Sequence, residues 1–172
     1  MTEDANAFLG NSLPIREGLL AAEGRLPQRF HANRGANGID GNLSTFLGLA
    51  AQDDDREYWG FFGDLTTLYD LSAPSILSQM QNVKLRLVVI NNGGGKIFRL
   101  LPNWKGLSSD HAQVVENAHD FHFSAWAQAW NMGYVRIDAS SPVGTFEKRS
   151  LVIEVQPDQA QTDAFWQAWS AS

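Results

Sequence analysis

The chain has 172 residues, a length that suits one domain with a sizeable core. Thirteen basic and nineteen acidic residues give a formal charge of −6, and no basic cluster is longer than Lys148-Arg149, which argues against a nucleic-acid-binding protein. The absence of cysteine excludes disulfides, thiolate metal sites and cysteine nucleophiles. The start MTEDANAFLG lacks a basic n-region, and no run approaches the about 18 apolar residues of a membrane span, so we expect a soluble cytoplasmic protein.

Short strands and helices alternate in the first third of the chain. The apolar run AFLG ends at Asn11-Ser12, and Pro14 suits the first turn of the helix that follows. The segment NRGANGIDG holds three glycines and two asparagines, which predicts a loop. The predicted elements are strands at 7–10 and 29–32, helices at 14–23 and 43–51, and the loop at 33–41.

A βαβ unit is predicted in the middle of the chain. The aromatic run EYWGFF (57–62) and the β-branched run KLRLVVI (84–90) are typical of buried strands. The residues between them are predicted to be helical, with Ser72 as N-cap and Pro74 in the first turn of the main segment.

The last third continues the alternation, which predicts one α/β domain over residues 1–172 with a mostly parallel central sheet and helices on both faces. The i,i+4 pairs Trp126 with Trp130 and Phe165 with Trp169 indicate core stripes or a docking face. The predicted elements are helices at 121–130 and 158–169 and strands at 134–138 and 151–155, after a loop over the site at 103–120.

Polar residues follow the two central strands where each strand ends. Asp64 follows the first and Asn91-Asn92 the second, and right-handed βαβ connections place such positions at one edge of a parallel sheet. A carboxylate, an amide oxygen and a carbonyl from the turn at 93–95 are hard oxygen ligands that suit Mg²⁺ together with a diphosphate. The alternative is an ordinary pair of turns, since Asp and Asn-Gly are common turn residues, and the spacing alone leaves both open.

Several other kinds of site do not match the sequence. Lys96 is followed by Ile97, so the glycine turn is not a P-loop, and neither a G-x-S-x-G elbow nor a G-x-G-x-x-G motif is present. His119 and His122 stand three apart in HDFH, but a zinc site would need further ligands that are not evident.

Gly63-Asp64 and Asn91-Asn92 resemble the thiamine-diphosphate fingerprint, with Leu65 in place of the second glycine of its usual GDG. The blocks GNSLPIR, NRGANGIDGNLST, GDLTTLYDL and NNGGGKIFRLLP together resemble the 2-succinyl-5-enolpyruvyl-6-hydroxy-3-cyclohexene-1-carboxylate (SEPHCHC) synthase family of menaquinone biosynthesis. The resemblance covers only the C-terminal diphosphate-binding (PP) domain of that family and implies the thiamin diphosphate-binding fold.

The resemblance also implies roles for single residues. Asp64, Asn92 and the carbonyl of Gly94 would bind Mg²⁺ or Mn²⁺, and Lys96 stands where family members commonly carry glutamine. The residues implied to contact thiamine diphosphate are Asn37, Ile39, Gly63, Asp64, Leu65, Thr66, Asn92, Gly94 and Ile97, and those implied to contact substrate are Ser12, Arg16, Arg34, Ile97 and Phe98.

The activity that the resemblance implies is decarboxylation of 2-oxoglutarate and addition of the resulting succinyl-semialdehyde carbanion equivalent to isochorismate. In the family the glutamate that activates the cofactor comes from a pyrimidine-binding domain, so this chain is expected to hold no catalytic residue of its own and to need that domain in trans. We expect homo- or hetero-oligomers, because an unpartnered PP domain exposes an apolar face. The alternatives are a non-catalytic cofactor-binding domain and the PP subunit of another thiamine-dependent 2-oxoacid decarboxylase.

Overall fold

A computed structural model describes residues 5–22, 29–36, 38–52, 56–80, 82–138 and 148–170. In these ranges six parallel strands form one sheet in the order β2-β1-β3-β4-β6-β5, with helices around it, which confirms the predicted α/β class. The strands are β1 (Asn6–Leu9), β2 (Phe30–His31), β3 (Glu57–Gly63), β4 (Lys84–Ile90), β5 (Gly133–Ile137) and β6 (Ser150–Val155). The α-helices are α1 (Leu13–Ala21), α2 (Asn42–Ala50), α3 (Asp64–Tyr69), α4 (Ser109–Glu116), α5 (Ser124–Ala129) and α6 (Gln159–Ser170).

Three 3-10 helices connect these elements, at Ala73–Gln79, Lys96–Leu100 and Pro102–Gly106. Within the part of the chain that the structure describes, no helix is long and apolar enough to cross a membrane.

Side-chain alternation along β3 builds the main core. Tyr58 and Phe62 lie on one face of the sheet, where Phe62 packs against Phe8 and Phe46 with ring centroids 5.8 and 5.6 Å apart. Gly60 makes room for this cluster, because a Cβ atom there would lie 2.4 Å from the ring of Phe62. The aromatic residues of β3 therefore fix the central strand on which the site is built.

The register of the central strands brings polar residues together at one edge. Gly63 at the end of β3 pairs with Ile90 at the end of β4, and Ile90 pairs with Val155 at the end of β6. Asp64 and Asn91 follow these paired ends directly, as the βαβ argument predicted.

Trp126 of α5 and Trp130, which follows this helix, belong to the core, one of the two alternatives that their spacing left open. Trp126 is buried and Trp130 is partly buried, and the indole Nε1 of each donates to the carbonyl oxygen of Leu71, at 2.8 and 3.0 Å. Phe165 and Trp169 of α6 are instead about half exposed.

The predicted loop at 103–120 was wrong, because it contains a 3-10 helix and α4. Ser108 caps α4 by accepting a hydrogen bond from the N–H of His111, and Asn117 ends the helix in the left-handed conformation with φ 47°. The sequence SSDHAQVVEN therefore carried both a start and a stop signal for a helix.

Two other helix boundaries also differ from the prediction. Ser72 has helical backbone angles and makes no side-chain cap, so Pro74 opens a separate 3-10 segment rather than an α-helix. The predicted helix at 121–130 begins only at Ser124, after Phe123 at the N-cap position, and the N–H groups of Phe121 and Phe123 bind the side chains of His119 and Glu154.

Candidate functional site

Asp64 is buried at the junction of β3 and α3, and main-chain N–H groups hold both of its carboxylate oxygens. Leu65 N donates to Oδ1 at 2.6 Å, and the N–H groups of Asn92 and Gly94 donate to Oδ2 at 3.1 and 2.9 Å. Burial raises the pKa of the Asp64 carboxyl, while the hydrogen bonds from Gly94 and Leu65 act in the opposite direction. The turn after β4 thus closes on the carboxylate at the end of β3.

Oδ2 of this carboxylate converges with the side-chain amide of Asn92 and the carbonyl oxygen of Gly94. As its side chain is oriented, the amide oxygen of Asn92 lies 2.6 Å from the carbonyl oxygen of Gly94 and 3.3 Å from Oδ2 of Asp64. Oxygen acceptors at such separations repel one another unless a donor or a cation lies between them. A half-turn of the amide would supply a donor to both partners, and a bound cation would satisfy all three oxygens as they stand.

The glycines at 93 and 94 give the turn a shape that other residues rarely adopt. Gly93 has φ 76° and Gly94 has φ 133°. A Cβ atom on Gly94 would lie 2.6 Å from the carbonyl oxygen of Glu116, which also accepts a hydrogen bond from the N–H of Gly95 at 2.6 Å. The C-terminal end of α4 therefore packs directly on the turn and fixes the direction of the Gly94 carbonyl.

A buried carboxylate with two cations supports the same turn. Glu116 forms ion pairs with Lys96 and Arg99. Burial alone would raise the pKa of Glu116, but the hydrogen bonds from Arg99 and Lys96 outweigh it and lower the pKa. The Lys96 ammonium is therefore committed to Glu116, although Lys96 also lines the cavity described below.

Two asparagines organise the other wall of the site. Asn11 is buried after β1; its N–H donates to Oδ1 of Asn42, its Nδ2 donates to the carbonyl of Gly38 at 2.7 Å, and its Oδ1 accepts from Arg34 at 3.4 Å. The amide nitrogen of Asn42 also donates to the carbonyl oxygen of Ile39 at 3.1 Å. These bonds hold the loop that carries Arg34 and Ile39 against the end of β1.

Ser12 has the unusual backbone angle φ 80°, and its carbonyl oxygen accepts a hydrogen bond from Arg16 at 2.7 Å. This bond keeps the exposed guanidinium of Arg16 beside the start of α1.

One cavity of about 1040 Å³ joins the two walls. The predicted site residues that line it are Ser12, Arg16, Arg34, Ile39, Gly63, Asp64, Leu65, Thr66, Asn92, Gly94, Ile97 and Phe98. Asn37, the remaining predicted contact, lies outside the described residues. The structure therefore brings the described candidates together, and their individual roles stay predictions.

The sequence interpretation missed three residues that shape this site. Asn11 was read only as part of a turn, and Glu116 and His119 fell in the predicted loop. His119 places its Nε2 atom 3.4 Å from Oδ2 of Asp64. His122 faces Glu154 instead, at 3.5 Å from its Oε1, so the two histidines of HDFH approach different carboxylates. The signals that could have found Glu116 were the helix caps around it; His119 was noted only as a histidine of HDFH, and nothing in the sequence connected it with Asp64.

Comparison with curated proteins finds similarity to SEPHCHC synthases. The chain is 40% identical over 169 residues to that of Bdellovibrio bacteriovorus, a match that covers 96% of this chain and 30% of the relative. It is 37% identical over 161 residues to that of Akkermansia muciniphila (91% and 30% covered) and 35% identical over 167 residues to that of Lysinibacillus sphaericus (92% and 28%). The chain thus spans less than a third of the length of these relatives. No protein-family model matches it.

Proposed function

The chain is a relative of the SEPHCHC synthases, as the four sequence blocks predicted, and on that premise we propose that it is the part of such an enzyme that binds Mg²⁺ and the diphosphate of thiamine diphosphate. The relatives are named for the synthesis of SEPHCHC, and the assignment of this activity to the present chain is part of the proposal.

The observation that carries the proposal is the convergence of the Asp64 carboxylate, the Asn92 side-chain amide and the Gly94 carbonyl. Each of these three groups can offer an oxygen atom, and one of them is a buried carboxylate. Such a set suits a hard divalent cation that also binds phosphate oxygens.

The surroundings of these oxygens fit the rest of the cofactor. Gly63, Leu65 and Thr66 line the cavity beside Asp64 and would face the diphosphate. Ile39, Ile97 and Phe98 line the same cavity and would supply apolar walls for the rings of the cofactor and for the substrate. When bound, thiamine diphosphate supplies the carbanion chemistry by which 2-oxoglutarate loses carbon dioxide and adds to isochorismate.

Both proposed substrates are carboxylates, and the cavity offers cations to receive them. The guanidinium of Arg34 is held by Asn11, and that of Arg16 by the carbonyl of Ser12. Planar guanidinium groups bind carboxylates through paired charge-assisted hydrogen bonds. We assign Arg16, Arg34 and Ser12 to binding the substrate carboxylates, whereas Lys96 is neutralised by Glu116.

A further part of the enzyme completes the site in this proposal. The chain spans less than a third of the named relatives, and we place the pyrimidine-binding domain with its activating glutamate outside these residues. The isolated chain is then expected to bind the cofactor without turnover.

Calorimetry of thiamine diphosphate binding tests the cofactor site. We expect binding that requires Mg²⁺ or Mn²⁺ and that weakens at least about 100-fold in Asp64→Asn, because this change removes the charged ligand. Asp110→Asn, which removes an exposed carboxylate of α4, is the matched control and should bind like the wild type. Binding that is independent of metal, or that is unchanged in Asp64→Asn, would contradict the proposal.

Reconstitution with the pyrimidine-binding domain of a related synthase tests the reaction. Carbon dioxide release from 2-oxoglutarate, followed by product formation only when isochorismate is present, supports a SEPHCHC synthase. Release of carbon dioxide with a different acceptor indicates another 2-oxoacid decarboxylase. Cofactor binding without turnover in the reconstituted complex indicates a non-catalytic binding domain.

A further inference from the structure

His119 lies beside the proposed cation site without belonging to its oxygen set. It follows α4, and its side chain is 15% exposed. Its Nε2 atom is buried, has no hydrogen-bond partner and lies 3.4 Å from Oδ2 of Asp64. A buried polar atom without a partner costs free energy, so its position beside Asp64 calls for an explanation.

The other ring nitrogen of His119 determines what Nε2 can do. Nδ1 accepts a hydrogen bond from the N–H of Phe121 at 3.1 Å, which assigns its lone pair to that contact. The proton of the neutral imidazole is then on Nε2, so the ring presents a donor to the Asp64 carboxylate. Coordination of a metal through Nε2 would require a lone pair there and would break the contact with Phe121.

From this geometry, and given the proposed function, we propose that His119 is a positioning residue that orients the Asp64 carboxylate toward the cation without coordinating the cation itself. The Nε2–H group approaches Oδ2, the oxygen that already accepts the N–H groups of Asn92 and Gly94. The two main-chain hydrogen bonds and the nearby Nε2–H group together restrict the rotation of the carboxylate, as neighbouring polar groups commonly do for metal ligands.

The backbone of His119 ties the same residue to the glycine turn. Its N–H donates to the carbonyl of Gly93 at 3.4 Å, and its own carbonyl oxygen lies 3.4 Å from the place that a Cβ atom of Gly93 would occupy. His119 therefore contacts the carboxylate with its ring and the turn that bears the other two oxygens with its backbone. Because its ring stays outside the shell, the cation keeps oxygen ligands from this chain, which favours Mg²⁺ and Mn²⁺ over Zn²⁺.

The pair of histidines in HDFH does not form a zinc site in this arrangement. His122 faces Glu154 rather than Asp64, and among the described residues no group of three or more His, Cys, Asp or Glu side chains is placed to hold a metal ion.

Pulsed electron paramagnetic resonance of Mn²⁺ with thiamine diphosphate tests this role, together with the Mn²⁺ affinity of variants. In the wild type we expect no directly coordinated histidine nitrogen. His119→Phe should weaken Mn²⁺ binding about tenfold, and His119→Gln should restore most of the affinity because its amide can donate to Asp64. His122→Phe is the matched control and should bind like the wild type, since His122 is 55% exposed and faces another carboxylate.

The outcomes separate the two proposals. A strong nitrogen coupling in the wild type that disappears in His119→Phe would make His119 a ligand and overturn the positioning role. Unchanged affinity in His119→Phe would show that the ring has no influence on the site. Absence of Mn²⁺ binding in the wild type would overturn the proposed cofactor site itself. Thermal unfolding of each variant confirms that the affinities refer to folded protein.

Discussion

Asp64 and Glu154 are both buried carboxylates on neighbouring parts of one sheet edge, yet their surroundings differ in kind. Glu154 on β6 accepts hydrogen bonds from the hydroxyl of Tyr134 at 2.7 Å, the amide of Asn91 at 2.6 Å and the N–H of Phe123 at 3.0 Å. Asp64 also accepts N–H groups, but it shares its edge with the oxygens of Asn92 and Gly94. Hydrogen-bond donors satisfy Glu154, whereas Asp64 accepts N–H groups and also lies beside the two groups that we propose as further ligands of a cation.

The pKa values of the two carboxyl groups are shifted in opposite directions. For Glu154, burial is outweighed by the donors, with Tyr134 and Asn91 foremost, and the pKa is lowered. For Asp64, burial dominates and the pKa is raised. Burial with Glu154 beside it raises the pKa of Tyr134 to about 12, so its hydroxyl stays a donor at neutral pH. Burial alone therefore does not decide whether the pKa of a carboxyl group is raised or lowered; the hydrogen bonds that the group accepts also contribute.

Gly94→Ala should disrupt the region around Asp64. We expect it to have the largest effect of the substitutions considered. The residue has φ 133° and faces a backbone carbonyl at 2.6 Å from a new Cβ, so we expect a loss of about 3 kcal/mol in the free energy of unfolding and loss of metal-dependent cofactor binding. Gly48→Ala in α2, where a Cβ meets nothing within 4 Å, should instead stabilise by about 0.5–1 kcal/mol. Chemical denaturation and calorimetry measure both, and a Gly94→Ala protein with intact binding would contradict the assigned role of the turn.

Glu154→Gln should destabilise the region around Glu154, because it replaces one hydrogen-bond acceptor with a donor. Whichever way the amide points, its NH₂ group faces either the amide of Asn91 or the N–H of Phe123, which costs about 1–3 kcal/mol, or roughly 2–4 °C in melting temperature for each kcal/mol. Tyr134→Phe removes one donor without such a clash and should cost less. The rise in melting temperature on adding Mg²⁺ and thiamine diphosphate should persist in both variants, because Glu154 is outside the oxygen set. Loss of that rise in Glu154→Gln would show that Glu154 contributes to cofactor binding and would contradict the separation of the two regions.

The smallest effect that we expect is in the pH dependence of stability in acid, which tests the lowered pKa of Glu154. Because the folded pKa of Glu154 lies below its ordinary value of 4.5, its ionised form contributes stability above about that pH, and the contribution is lost as the pH falls through the folded pKa. Glu154→Gln cannot titrate there, so the stability difference between wild type and variant should shrink as the pH is lowered below 4.5. Denaturation curves across this range measure the difference, and a constant gap would contradict the assignment.

The frame of the site could be predicted from the sequence, because it depends on local patterns. Alternation in β3, the apolar run of β4 and the rule for parallel strands were enough to bring Asp64 next to Asn92. The glycines at 93–95 were identified correctly as a turn, and Gly93 and Gly94 have the positive φ values that glycine adopts without strain.

The supports of the site could not be predicted in the same way. Glu116, His119 and Glu154 act through contacts with residues distant in the sequence, and no local period encodes such contacts. Glu154 did leave one trace, since an acid inside the apolar strand LVIEV must find donors when it is buried, but the sequence does not say which donors. Asn11 likewise looked like any turn residue until its partners Asn42 and Gly38 were placed.

The carbonyl oxygen of Leu71, which accepts hydrogen bonds from two indole groups, has a consequence for tryptophan fluorescence. Two of the six tryptophans bind this one oxygen, just beyond the end of α3, the helix that Asp64 begins. Indole emission depends on the hydrogen bonding and polarity around the ring, so any shift of α3 alters the environment of both rings at once. The chain thus contains a natural pair of fluorophores beside the end of the helix that begins at Asp64, so movements of this helix can be followed without a label and without a substitution in the cavity.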